Sequence, residues 1–267
     1  MAKRSVIKQQ RKEAVNFSSM TYDNENNILL HYRGSDSLIL SFPEGDEIID
    51  IYESTHNEKE WKAWVDSAGK ADKTPDFYSD KHQMMMEVMR FDDKAFRKGK
   101  RNPTLERERS MLRELEEKGI METFPDINQI FLNADTQLPT DEDHNFTRYR
   151  DNFVRIVGKH SKQVEIYKNN HPGYKLLFFV FDETSGIYYQ KISDREVTYH
   201  KYWADSVIIK SIKDSGADFI IWYKPYNYYE TSEGMKGGLP QLMIYDIANM
   251  QIKVEDYNIC DMISSEV

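Results

Sequence analysis

Lys175 to Phe181, KLLFFVF, is the most apolar run in the chain and has the length of a strand buried on both faces. Such a run belongs at the centre of a sheet that is covered above and below. The expected architecture is therefore α/β or α+β, a mixed central sheet flanked by helices. The 267 residues are 39% hydrophobic and 13% aromatic, enough to fill that core and to exclude a disordered regulator. Charged residues make up 30% and the mean hydropathy is -0.73, with no apolar run near the roughly 20 residues of a bilayer crossing, so no transmembrane span is expected. Lys3, Arg4, Lys8, Arg11 and Lys12 have no apolar stretch behind them, unlike a secretory signal, and the expected compartment is the cytoplasm. A single cysteine, Cys260, supports neither an intramolecular disulfide nor a Cys-based zinc site.

Around the central run the pattern is mixed. Ile28 to Tyr32, Ser37 to Phe42 and Ile48 to Tyr52 are short β-rich runs between turn-forming stretches, and they predict an N-terminal antiparallel β meander over residues 1–54. Trp61, Trp64, Val65 and Ala68 predict a helix from Asn57 to Ala68. Met84 to Phe91 reads as a strand, and Lys94 to Asn102 as a basic loop before a helix from Leu105 to Lys118 that Thr104 caps and Gly119 stops. The Pro-containing stretch from Phe124 to Asn145 is an excursion, and Phe146 to Asn169 a third helix. Ile187 to Lys191, Asp218 to Tyr223 and Gln241 to Ile247 are further strands. The expected division is a meander at 1–54, a core at 55–191 and an α+β extension packed on it at 192–267.

No Gly-rich phosphate loop, no Gly-x-Ser-x-Gly elbow and no His-Glu-x-x-His pair is present, and the seven histidines have no ligand spacing. What stands out is a pair of acids on one hairpin, Asp76 after Pro75 and Glu87 within Met84 to Phe91. Strand periodicity places Met85, Glu87, Met89 and Phe91 on one face. A carboxylate among such neighbours costs several kcal/mol unless it is paired, coordinated or near water. Two carboxylates at the end of a strand suit a hard divalent cation such as Mg²⁺.

Pro75-Asp76 followed by Glu87-Val88-Met89 resembles the PD-(D/E)XK nuclease superfamily, in which a Pro-Asp precedes a strand carrying an acid, one residue and a lysine. The resemblance implies a restriction-endonuclease-like core and a metal site on Asp76 and Glu87 loaded with Mg²⁺ or Mn²⁺. There the metal polarises a phosphodiester and activates water while the lysine helps to position the nucleophile. Met89 stands where that lysine is expected. Gln163-Val164-Glu165-Ile166-Tyr167 resembles the Gln-x-x-x-Tyr element of RecB-like members, and Lys159 shares its helix face, from which a displaced lysine could reach the site. Glu58 is either the acid that such nucleases present from a preceding helix, as a further metal ligand, or a solvated first-turn acid.

The implied function is metal-dependent hydrolysis of DNA, ahead of RNA. A net charge of -9 argues against nonspecific coating of nucleic acid, but Lys94, Arg97, Lys98, Lys100 and Arg101 form a local basic run, either a solvated loop or a phosphate contact. Arg148, Arg150, Arg155, Lys159, Lys162 and Lys168 add a basic helix. Two alternatives remain open. One is a catalytically inactive binding module of the same fold, which Met89 would explain. The other is an interaction protein of a phage or mobile element, binding a protein partner through Trp222, Tyr223, Tyr226, Tyr228 and Tyr229.

Overall fold

The computed structural model describes residues 2–7, 25–67, 74–93, 110, 111, 113–115, 117–119, 123, 129–134, 145–184, 186–230 and 236–265. In chain order the strands are β1 (Ala2–Ile7), β2 (Ile39–Phe42), β3 (Val65–Asp66), β4 (Phe77–Ser79), β5 (Met84–Phe91), β6 (Gln129–Ala134), β7 (Lys175–Asp182), β8 (Tyr188–Ser193), β9 (Glu196–Tyr199), β10 (Phe219–Tyr223), β11 (Tyr228–Glu230), β12 (Lys236–Gly238), β13 (Leu242–Asp246) and β14 (Met262–Ser264). The helices used below are α1 (Glu25–Arg33), α2 (Asp46–His56), α3 (Glu58–Trp61), α4 (Phe146–Ser161), α5 (Val164–Asn170) and α6 (Ser206–Lys213).

Seven strands form one mixed sheet in the order β2-β13-β10-β7-β5-β4-β3. The apolar run occupies its middle strand, β7, where every residue after Lys175 is buried. β7 lies parallel to both β5 and β10, whereas β4 and β13 pair antiparallel on the outer sides of those two. Alternation along the strands splits the core in two. Met85, Met89, Leu176, Phe178 and Val180 face α4, α5 and α6, while Met84, Met86, Val88, Leu177 and Phe179 face α1 and α2. The sheet takes β2 from residues 1–54, β3, β4, β5 and β7 from 55–191, and β10 and β13 from 192–267. No helix among the described residues is long and apolar enough to cross a membrane.

The N-terminal meander is not formed. Ile28 to Tyr32 lies in α1 and Ile48 to Tyr52 in α2. Helical spacing buries Ile28, Leu29 and Tyr32 on one face of α1, and Ile48 and Ile51 on one face of α2. Of the three runs only the one containing Ile39–Phe42 forms a strand, and its partner is remote: it pairs parallel with β13 at the sheet edge. The helix expected from Asn57 to Ala68 stops after Trp61. Trp64 then anchors the chain by donating its indole N–H to the Ser54 carbonyl at 2.8 Å, and Val65–Asp66 joins β4. The third helix starts where expected, with the Asn145 side chain accepting from the Arg148 N–H at 3.0 Å. It breaks at Lys162 and Gln163, beside a hydrogen bond from the Ser161 hydroxyl back to the Val157 carbonyl. The expected helix at 105–118 is described only at 110, 111, 113–115, 117 and 118, helical up to 117 and turning at 118, and Thr104 lies outside the described residues. Within the Phe124 to Asn145 excursion, β6 pairs antiparallel with β1.

Candidate metal centre

The site is built on the β4–β5 hairpin. Phe77 pairs with Met86 and Tyr78 with Met85, so the register carried one residue further sets Asp76 beside Glu87. Asp76 is held there by its Oδ2, which accepts the Val88 N–H at 2.7 Å. Glu87 points to the face of Met85 and Met89, beneath α4 and α5, and is only 6% exposed. Its Oε1 lies 2.6 Å from Nδ1 of His160, in the last turn of α4. Its Oε2 is buried without a hydrogen-bond partner. The buried Tyr167 of α5 lies beside Glu87, and burial, the Glu87 charge and a phenol hydrogen bond to that carboxylate raise its phenol above the ordinary range.

Electrostatics follow from this geometry. Asp76 is pushed up to about 7, first by burial and then by the Glu87 carboxylate; the Val88 N–H opposes the shift, and Glu25 and Asp66 add to it. A half-buried Asp76 raised in this way favours holding a proton or meeting a cation over standing charged beside Glu87.

The remaining sequence candidates fall in different places. Met89 is 2% exposed in the core beneath α4, so the strand offers no cation where the resemblance requires a lysine. Lys159 is exposed, and the helix instead turns the next residue, His160, onto Glu87. Gln163 is half-buried at the start of α5; its N–H donates to the His160 carbonyl and its carbonyl accepts from the Tyr167 N–H, so it links the two halves of the broken helix. Glu58 is exposed in the first turn of α3, beside Arg33, and the acids that act on Asp76 besides Glu87 are Glu25 and Asp66. Lys94, Arg97, Lys98, Lys100 and Arg101 lie outside the described residues. Of the basic helix, Arg150 bridges to Asp205 at 3.9 Å and Lys168 to Asp218 at 3.4 Å.

The aromatic region is corrected most plainly. Trp222 and Tyr223 are fully buried strand residues, bonded to Asp182 and His31, and Tyr226 is half-buried against the core. Trp222 and Tyr223 therefore supply no docking surface. The side chains of Tyr228 and Tyr229 lie outside the described residues.

The residue that sequence reasoning missed is His160. It stands three positions before Gln163 and seven before Tyr167, two helical turns along the same face, and that spacing was the available signal. Among the described residues no group of three or more His, Cys, Asp or Glu side chains is arranged to hold a metal ion, and the donors on the hairpin are the two carboxylates of Asp76 and Glu87. Such a donor set fits Mg²⁺ or Mn²⁺, which take one or two carboxylates and complete their shell with water and substrate oxygens. No protein-family model, no curated protein and no solved structure matches this chain.

Proposed function

We propose that the protein is a divalent-metal-dependent nuclease that hydrolyses phosphodiester bonds of DNA, ahead of RNA, with Mg²⁺ or Mn²⁺ held by Asp76 and Glu87. One observation carries the reading: the register of adjacent strands sets Asp76 beside Glu87, and Glu87 keeps one buried oxygen, Oε2, that makes no hydrogen bond of full geometry. An unpartnered buried carboxylate oxygen is costly, and a cation is the ligand that relieves it. The order of elements also suits a restriction-endonuclease-like core: three antiparallel strands β3 to β5, a helical crossover through α4 and α5, and β7 parallel to β5.

A bound cation would polarise the phosphodiester and favour ionisation of a water molecule. The chain's own residues do the rest. Asp76 and Glu87 bind and orient, the Val88 N–H holds Asp76 in place, and α4 and α5 exclude bulk water from the Glu87 side. The basic run from Lys94 to Arg101 is proposed to contact phosphates. A second reading, an inactive nucleic-acid-binding module of the same fold, is favoured by Met89, whose buried side chain offers no cation to a nucleophile.

Labelled single- and double-stranded DNA and RNA, incubated with the full-length protein in Mg²⁺, Mn²⁺ or chelator, separate the readings. Cleavage that needs metal and is lost in Asp76→Asn and Glu87→Gln is the expected result. Metal binding and nucleic-acid binding without cleavage would assign the inactive module. Unchanged Mn²⁺ affinity in both variants would remove the metal site altogether.

A further inference from the structure

We infer that His160 is the positioning residue of this centre: it anchors one oxygen of Glu87 so that the other is left for the cation. The inference rests on the metal-site reading above and adds to it a residue outside the Pro-Asp and Gln-x-x-x-Tyr patterns. A carboxylate only accepts hydrogen bonds, so the imidazole proton sits on Nδ1 and is donated to Oε1 at 2.6 Å. Both side chains are largely buried, 14% and 8% exposed, which makes the contact hard to replace by water. It is also long-range, joining the last turn of α4 to the middle of β5 across 73 residues of sequence.

The contact removes the conformational freedom of a glutamate, whose side chain otherwise loses about 1–2 kcal/mol of rotamer entropy when a ligand orders it. Oε1 is occupied by His160, the Tyr167 phenol lies at hydrogen-bonding range of the same carboxylate, and Oε2 makes no hydrogen bond of full geometry, so Glu87 is presented as a one-oxygen ligand. His160 itself acts through Glu87, because its Nδ1 is committed to the carboxylate and no three-ligand group includes it among the described residues. Partners of this kind, which orient a ligand without touching the ion, are strong determinants of metal affinity.

The test is calorimetric titration of the full-length protein with Mn²⁺, comparing wild type with Asp76→Asn, Glu87→Gln, His160→Ala, His160→Leu and His160→Asn, each checked for folding by thermal melting. Asparagine keeps a donor near the place of Nδ1, whereas leucine keeps bulk alone. His160→Ala and His160→Leu are expected to weaken Mn²⁺ binding by about 10–100-fold, and His160→Asn to recover most of that loss. If alanine fails to fold, the asparagine and leucine pair decides. Wild-type affinity in the leucine variant, or equal weakness in asparagine and leucine, overturns the positioning role while loss of binding in Asp76→Asn and Glu87→Gln leaves the site standing. Wild-type affinity in those two variants, or no Mn²⁺ binding by wild type, overturns the site and the inference with it.

Discussion

Burial and the Glu87 carboxylate together push Asp76 up to about 7, from an ordinary value of 3.8. Because the folded value is the higher one, the stability linked to this group is complete below pH 3.8 and is lost as pH rises through 7. In chelator the protein should therefore lose stability between pH 5 and pH 8. Asp76→Asn, which removes the charge but keeps an oxygen for the Val88 N–H, should reduce that loss and stabilise the metal-free protein at pH 8 by about 1–3 kcal/mol, at the expense of Mn²⁺ binding. Urea denaturation at the two pH values, with and without the substitution, measures this; an unchanged difference between wild type and variant at both would mean that Asp76 titrates normally. The acid pair was legible in the sequence because Glu87 sits on an apolar strand face and Asp76 follows a proline. His160 offered only its spacing to Gln163 and Tyr167, because a histidine on a helix shows nothing of what the helix packs on.

At the scale of the element, β5 shows why the missing lysine cannot simply be restored. Met89 is enclosed beneath α4, with Met85 and Phe178 in the same cluster. A lysine in its place would bury an ammonium group, and Met89→Lys should destabilise the protein by roughly 3 kcal/mol or more, in line with other unpaired buried charges. A thermal melt checks this, and a melting temperature within a degree of wild type would show that a lysine there reaches solvent or the acid pair. β5 and β7 were readable from sequence alone, since both are continuous apolar runs of strand length. α1 and α2 were not: Ile28-Leu29-Leu30 and Ile48-Ile49 are apolar runs too short to separate a strand from one helix face. Leu30 and Ile49, 48% and 57% exposed, show that the helical spacing decided which of them entered the core.

Across the whole molecule, one sheet joins the two ends of the chain, since β2 pairs with β13 across some two hundred residues of sequence. Residues 55–191 on their own keep β7 but lose β10, one of the two strands that flank it, and with it the packing of Ile220, Ile221 and Tyr223 in the clusters of Phe178, Phe179 and Phe181. That fragment is expected to show no cooperative unfolding transition and to bind an apolar dye, where the full-length protein melts in one step; a cooperative melt of the fragment would make it an independent domain. The sequence by itself determined the class of the fold, the central strand, the hairpin and its acid pair, because each follows from local periodicity and from what burying a given side chain costs. Only the tertiary structure decided which strands are neighbours, which apolar runs became helices, and that His160 rather than Lys159 meets Glu87. Those outcomes depend on contacts between residues far apart in the chain, and a one-residue rotation of a helix face, about 100°, is enough to exchange a solvated lysine for a buried imidazole.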